Sequence, residues 1–280
     1  MEFWLSLIFE QPDSLLEHAR NAEKLGFTGV ALQDHVVVKT GERTPHPTGY
    51  PLEAEEIFVD PFCAFSAMAS VTTRLRFLTW VYVVPLRDPF MLAKQAGSLA
   101  VLSNDRFVLG TGTGWLREEF ETVGKDFGTR GRRMDEMLAV LRDFLDDGYA
   151  EHHGEFFDFP RSAMFPVPQR QVPIWIGGHS LHAARRAAAF DGYIPMRPLG
   201  EETRREFEEI DAIRRETGLT GPFQRLVNAR VSDPGEVRQL EDAGINGVLV
   251  TPWTLSDYTT SLADKLALAE QFATNVMARV

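Results

Sequence analysis

Short apolar runs alternate along the chain with longer stretches in which apolar positions recur every three or four residues. The runs are Phe3–Phe9, Thr28–Gln33, Arg74–Pro85, Arg106–Leu109, Pro173–Ile176, Gly192–Met196, Phe223–Ala229 and Asn246–Val250. They lack polar alternation, as parallel strands covered on both faces do. Between the first two, Leu15, Leu16, Ala19, Ala22 and Leu25 share one helical stripe. Pro12-Asp13-Ser14 opens that helix, Ser14 and Glu17 stand at capping-box spacing, and Gly26 closes it. Asp60-Pro61, Asp88-Pro89 and Asp233-Pro234 read as further helix starts, the last with Glu236 in the capping-box position. Helices are also expected over 116–120, 131–147, 180–190, 201–217 and from Leu255 to Met277. Residues 148–172 read as irregular. The stretch from His35 to Val59 carries Pro45, Pro47, Pro51, Gly41 and Gly49. It is too long for a mere connector and reads as a lid or binding loop.

Strand and helix alternate eight times within 280 residues. That predicts an α/β fold, a single closed (β/α)8 barrel with loop insertions. A doubly wound open sheet is the runner-up and would want fewer strands. No flexible linker or composition shift divides the chain, so one domain over 1–280 is expected.

Composition narrows the function. With 44% hydrophobic and 25% charged residues the chain is an ordinary globular one, and its formal net charge of -11 disfavours nucleic acid and anionic membrane as partners. No apolar stretch approaches the roughly 18 residues of a membrane span. The start lacks a basic region and a small-residue cleavage site, so no secretory leader is expected. A lone cysteine, Cys63, excludes an internal disulfide and a cysteine-based zinc site, and fits a reducing cytosol.

Barrel active sites sit just beyond strand C-termini. The candidates are therefore Asp34 and His35; Thr79, Trp80, Val81 and Tyr82; Gly112, Thr113, Gly114 and Trp115; Gly177, Gly178 and His179; Met196 and Arg197; Arg230; and Thr251. Three glycines crowd the end of the fourth run, in RFVLGTGTGWLREE. This is no dinucleotide fingerprint, because Trp115 stands where a third glycine would be needed, and no P-loop lysine follows. A flat ligand or phosphate pressed on the main chain, or a strand bending at a barrel rim, would each explain it. Gly-Gly-His-Ser before a helix offers N–H groups to an anion. Trp80 and Trp115 read as pocket walls. Arg130, Arg132, Arg133, Asp135 and Glu136 read as a salt-linked helix start. Glu151-His152-His153-Gly154-Glu155 invites a metal reading, but adjacent histidines diverge, and no metal site is expected.

Several segments together resemble the bacterial luciferase-like monooxygenase superfamily: Gly26 to His35, AKQAGSLAVLSNDRFVLGTGTGW over 93–115, Glu118-Glu-Phe with Gly124, Phe127, Arg130-Gly131 and Asp135-Glu136, and Pro168 to Pro195. The pattern is most similar to the branch that uses the deazaflavin coenzyme F-420. Asp34-His35 before a long loop and Gly114-Trp115 carry that finer likeness. The resemblance implies a barrel, often a homodimer, with the ring over its mouth. It implies a ring backed by Thr79, Trp80 and Val81, where relatives carry a non-proline cis peptide, and lined by Gly112, Thr113 and Gly114. It implies a phosphate-bearing tail near Gly177, Gly178, His179 and Arg197. It implies His35 as acid or base, oriented by Asp34, and Trp115 in the substrate pocket. Asn104-Asp105 departs from the usual glycine-containing pair, and Trp115 replaces a glutamate found in some sugar-phosphate dehydrogenase relatives, which puts that reaction in doubt. The function expected is a cytosolic oxidoreductase moving a hydride between F-420 and a small organic substrate. The alternatives are a reduced-FMN monooxygenase and, last, a metal-dependent barrel hydrolase.

Overall fold

The computed structural model describes residues 1–254 and 261–280. Its elements follow in order: β1 (Glu2–Ser6), α1 (Leu15–Leu25), β2 (Gly29–Leu32), α2 (Pro61–Ala69), β3 (Arg76–Thr79), β4 (Tyr82–Val83), α3 (Pro89–Leu102), β5 (Phe107–Gly112), α4 (Arg117–Thr122), α5 (Arg130–Asp146), β6 (Tyr149–His153), β7 (Asp158–Ala163), β8 (Ile174–Gly178), α6 (Leu181–Ala187), β9 (Gly192–Pro195), α7 (Glu201–Glu216), β10 (Gln224–Asn228), α8 (Pro234–Asp242), β11 (Gly247–Val250) and α9 (Leu262–Asn275). The parallel strands run β3-β2-β1-β11-β10-β9-β8-β5, and β3 pairs with β5. The sheet therefore closes into the expected barrel, with helices between its strands.

Alternation along each short strand sends one side chain inward. Trp4, Ala31, Leu78, Val108, Trp175, Ile194, Leu226 and Leu249, one from each wall strand, fill the interior. Trp4 and Trp175 meet edge to face with centroids 5.5 Å apart. So large a residue as Trp4 needs a void beside it. Gly29 supplies it, because a Cβ there would lie 2.4 Å from the indole. The opposite strand faces pack against the helices in a second, larger layer.

Four expectations change. The run Arg74–Pro85 is not one strand: it breaks at a cis Trp80–Val81 peptide between β3 and β4. Residues 148–172 are not irregular throughout, because β6 and β7 form an antiparallel hairpin. The hairpin tip docks on α5, where Glu136 accepts the N–H groups of Glu155, Phe156 and Phe157. The Ser14–Glu17 capping box does not form: the Ser14 hydroxyl turns back to the Gln11 carbonyl at 2.8 Å, and a 3-10 turn leads into α1. The last helix starts at Leu262; the expectation for 255–260 falls outside the described residues. Elsewhere local chemistry acts as read. Asp60, Asp88 and Asp233 cap their helices, the last as a full capping box with Glu236. Asn104 and Asp105 both take left-handed backbone, which their short polar side chains tolerate. No described helix is long and apolar enough to cross a membrane.

At the end opposite the strand C-termini, the Glu23 carboxylate collects the N–H groups of Thr73, Arg74 and Leu75 at 2.9, 2.7 and 2.8 Å. Burial works to raise its pKa, but these bonds win and hold it at about 2, against an ordinary 4.5. A folded pKa below the unfolded one gives stability that is complete above the unfolded value and drains as pH falls. Glu23→Gln should therefore cost about 1.5–3 kcal/mol at pH 7. Urea unfolding followed by circular dichroism checks it: the gap between variant and parent should close as pH drops from 4.5 toward 2.

Candidate active site

β2 ends at the barrel mouth, and its last residues set the site. Successive residues of an extended chain point to opposite faces. Asp34 turns inward, is 4% exposed, and accepts from the Val83 N–H at 2.9 Å and the Arg87 guanidinium at 2.5 Å. Burial raises its pKa, and Arg87 opposes that only in part. Arg87 is itself held over the Tyr82 ring, 4.3 Å from its centroid. Asp34 thus ties the end of β2 to the chain just past the cis peptide. Asp34 was expected to orient His35, but its two oxygens are taken by Val83 and Arg87 and no hydrogen bond joins it to the imidazole.

The orienting partner of His35 is Glu119. Nδ1 lies 2.9 Å from Glu119 Oε2, while Oε1 accepts the N–H groups of Val36 at 2.5 Å and Val37 at 3.4 Å. Glu119 is 1% exposed. A carboxylate taking two backbone N–H groups accepts from the ring as well, so Nδ1 donates to it and Nε2 is the ring nitrogen left for the cavity. Nε2 has no partner among the described residues. The ring sits edge-on to Phe58 and Trp115, with centroids 4.8 and 5.8 Å away. Glu119 escaped the sequence reading, although Leu116, Glu119 and Phe120 fall on one buried helical face, a spacing that marks an inward carboxylate. Its neighbour Glu118 takes the Thr44 N–H at 3.0 Å, so the two glutamates hold the long loop at two points.

The glycines serve the wall of the cavity. A Cβ at Gly110 would come within 2.0 Å of the Thr79 carbonyl, at Gly112 within 3.0 Å of Val81, at Gly177 within 2.6 Å of Val81, and at Gly114, which has φ +79°, within 2.6 Å of Val83. The chain that needs room here is the bulge itself, Thr79 to Val83, so the pressing group is protein rather than a ligand at these four positions. Thr79 does not reach the cavity. It is fully buried and its hydroxyl donates to the Gly110 carbonyl at 2.7 Å.

The remaining predicted residues converge. Asp34, His35, Trp80, Val81, Gly112, Thr113, Gly114, Trp115, Gly177, Gly178 and His179 all line one cavity of about 150 Å³. Gln33, His46, Pro47, Thr48, Val83 and Met196 complete it. Met196 was flagged by its strand end, and the loop that brings His46, Pro47 and Thr48 reads as a lid or binding loop in which the sequence singles out no site residue. His46 packs edge-on to Trp115 at 4.7 Å, and burial, then the neighbouring His35 and His179, lower its pKa. Arg197 stands outside this cavity. It lines two adjoining spaces of about 380 and 640 Å³ and is engaged by Glu202, by Glu206 and by the His179 carbonyl. Arg230 and Thr251 line a separate space of about 210 Å³. Ser180 caps the Ala183 N–H at 3.3 Å, so part of the expected anion cradle is already satisfied. In the hairpin, His153 pairs with Glu151 and Asp158, while His152 faces Glu136.

Comparison with known proteins agrees with the fold. The model of the luciferase-like monooxygenase family matches residues 1–232. The chain is 35% identical over 270 residues to an uncharacterized protein of Mycobacterium tuberculosis, covering 94% of each. It superimposes with a TM-score of 0.77 on the coenzyme F420 dependent tetrahydromethanopterin reductase from Methanopyrus kandleri, at 13% identity over 99% of this chain and 98% of that one. It superimposes with a TM-score of 0.67 on the oxygenating constituent of 3,6-diketocamphane monooxygenase from Pseudomonas putida in complex with FMN, at 18% identity over 86% of this chain and 70% of that one. The chain belongs to the luciferase-like monooxygenase family and is an oxidoreductase.

Replacing Glu119 by Gln tests the hydrogen-bond assignment. The amide keeps its carbonyl on Val36 and turns its NH2 toward His35, so Nδ1 must now accept. Long-range proton–nitrogen NMR should show His35 protonated at Nδ1 in the parent and at Nε2 in Glu119→Gln; one tautomer in both would refute it.

Proposed function

We propose that the barrel mouth binds coenzyme F-420 and that the protein moves a hydride between this deazaflavin and a small organic substrate. What carries the reading is the pairing of a flat-walled cavity with an imidazole whose proton is assigned by a buried carboxylate.

The residues present fit such a group. Val81 and the main chain of Gly112 to Gly114 and Gly177 to Gly178 offer a side-chain-poor wall, and Trp80 and Trp115 bound it. The larger cleft continues from it past Thr48, His179 and Arg197, which would hold the phosphate-bearing tail. When bound, a deazaflavin supplies two-electron hydride chemistry, because carbon stands where a flavin has its reactive nitrogen. The protein supplies orientation and proton exchange. His35 takes a substrate proton at Nε2 in the oxidising direction and returns one in the reducing direction. Glu119 holds Nδ1–H in place through both. Asp34 acts at one remove, fixing the main chain at Val83 beneath the cavity. Trp80, Trp115 and Phe58 keep bulk water from the imidazole. A cytosolic homodimer belongs to the same reading and rests on the family resemblance and on the lone cysteine.

Titration of the purified protein with F-420 and separately with FMN, followed by fluorescence, tests the cofactor. F-420 should bind at least about tenfold more tightly, a difference of about 1.4 kcal/mol. Preference for FMN would turn the reading to an oxygen-using monooxygenase, and binding of neither would remove it. His35→Ala should lower turnover by about 10²–10⁴-fold with cofactor affinity kept within a few-fold; unchanged turnover would take His35 out of the mechanism.

A further inference from the structure

Beside the inner cavity lies a chamber of about 380 Å³, of which the cofactor reading uses only the edge at Thr48 and Arg197. Its own apolar walls include Ile8 and Phe9 beyond β1, Tyr50, Leu52 and Phe58 of the long loop, and Pro198 beyond β9, with Arg197 and Asn228 as the polar ones. His35, His46 and Trp80 line both spaces, so the imidazole stands at the seam.

Phe9 is the unusual element. Its φ is 56°, in the left-handed region that an aromatic residue rarely enters. Such conformations persist where the surroundings fix them, and they gather at ligand sites. Here the ring lies parallel to Tyr50, with centroids 5.7 Å apart and planes at 18°, and edge-on to Phe58 at 5.4 Å. Phe9 is only partly buried, so the ring is not simply core. It forms one side of an aromatic corner that faces the chamber.

Charge narrows the occupant. Among the described lining residues there is no carboxylate, and apart from histidine the only cation is Arg197. That guanidinium is already engaged by Glu202, Glu206 and the His179 carbonyl. An ion brought into this chamber would meet no carboxylate, and its one guanidinium is contested by Glu202, Glu206 and the cofactor's phosphate tail, so it would lose water for little gain, which is costly. A ring with a neutral polar edge loses little and gains stacking.

We infer that the chamber takes the ring system of a neutral, lipophilic substrate, with Phe9 as its stacking platform and the reacting edge turned toward His35. The inference deepens the oxidoreductase reading and rests on it for the role of the inner cavity. Phe9 is then a specificity-determining residue, and anionic substrates such as sugar phosphates are poor ones.

Binding to the full-length protein tests this without turnover. 1-Tetralone, a neutral bicyclic ketone, and 1-naphthoate, an anion of similar size, are titrated separately by calorimetry. Tetralone should bind at least about tenfold more tightly. Phe9→Asn suits the left-handed backbone, so the melting temperature should stay within a few degrees. It should weaken tetralone binding about tenfold while F-420 affinity is retained. Ile8→Trp, which fills the chamber from another wall, should also weaken tetralone. Naphthoate binding as tightly as tetralone, or tetralone affinity untouched by both variants, would overturn the proposal. Cofactor binding without a tetralone preference would sink the chamber alone. A tetralone preference without binding of F-420 or FMN would uphold the chamber and sink the cofactor reading.

Discussion

The buried carboxylate of Glu119 is the contact on which the site depends. One oxygen receives two main-chain N–H groups at the start of the long loop, and the other faces the His35 ring. A carboxylate this deep is costly unless its lone pairs are filled, and here several are. The same bonds that settle the charge also fix the loop entrance, the ring orientation and the free nitrogen. Remove them and His35 becomes a mobile side chain on a 28-residue excursion between β2 and α2, rather than a directed acid or base.

The floor has a different logic. It is made by the main chain between β3 and β4, where the wall strand bulges into the mouth and Val81 presents its side chain. Three neighbours make way: Gly110 for the Thr79 carbonyl, and Gly112 and Gly177 for Val81. Asp34 fastens the far side through Val83 and Arg87. Residues from β2, β4, β5 and β8 thereby share one surface, which is how a barrel builds a site from parts distant in sequence.

Much of this was legible in the chain. Eight apolar runs alternating with helical stripes specify a closed parallel barrel because strands buried on both faces leave a plain signature. The strand-end rule then located His35, Trp80, Val81, Gly114, Trp115, Gly177 and His179 at one cavity, since topology alone brings those ends together. What it could not assign was contact. Asp34 beside His35 looked like an orienting pair, yet Asp34 is engaged by Val83 and Arg87 while His35 turns to Glu119. Glycines that could have made room for a ligand or for a strand bend proved to be room for the bulge, a demand visible only once β3 and β5 are neighbours. Ser14 had the spacing of a cap but not the backbone, because Pro12 starts a 3-10 turn ahead of the helix. The hairpin after α5 was hidden by its prolines and by the charged residues that its exposed strands carry.

The most direct measurement is a crystal structure of the protein grown with F-420. The account predicts the deazaflavin ring against Val81 and the glycine-lined main chain, between Trp80 and Trp115, with His35 Nε2 facing its open side and Nδ1 still on Glu119. A ring seated elsewhere, or His35 turned from it with the Glu119 contact broken, would contradict the account at its centre.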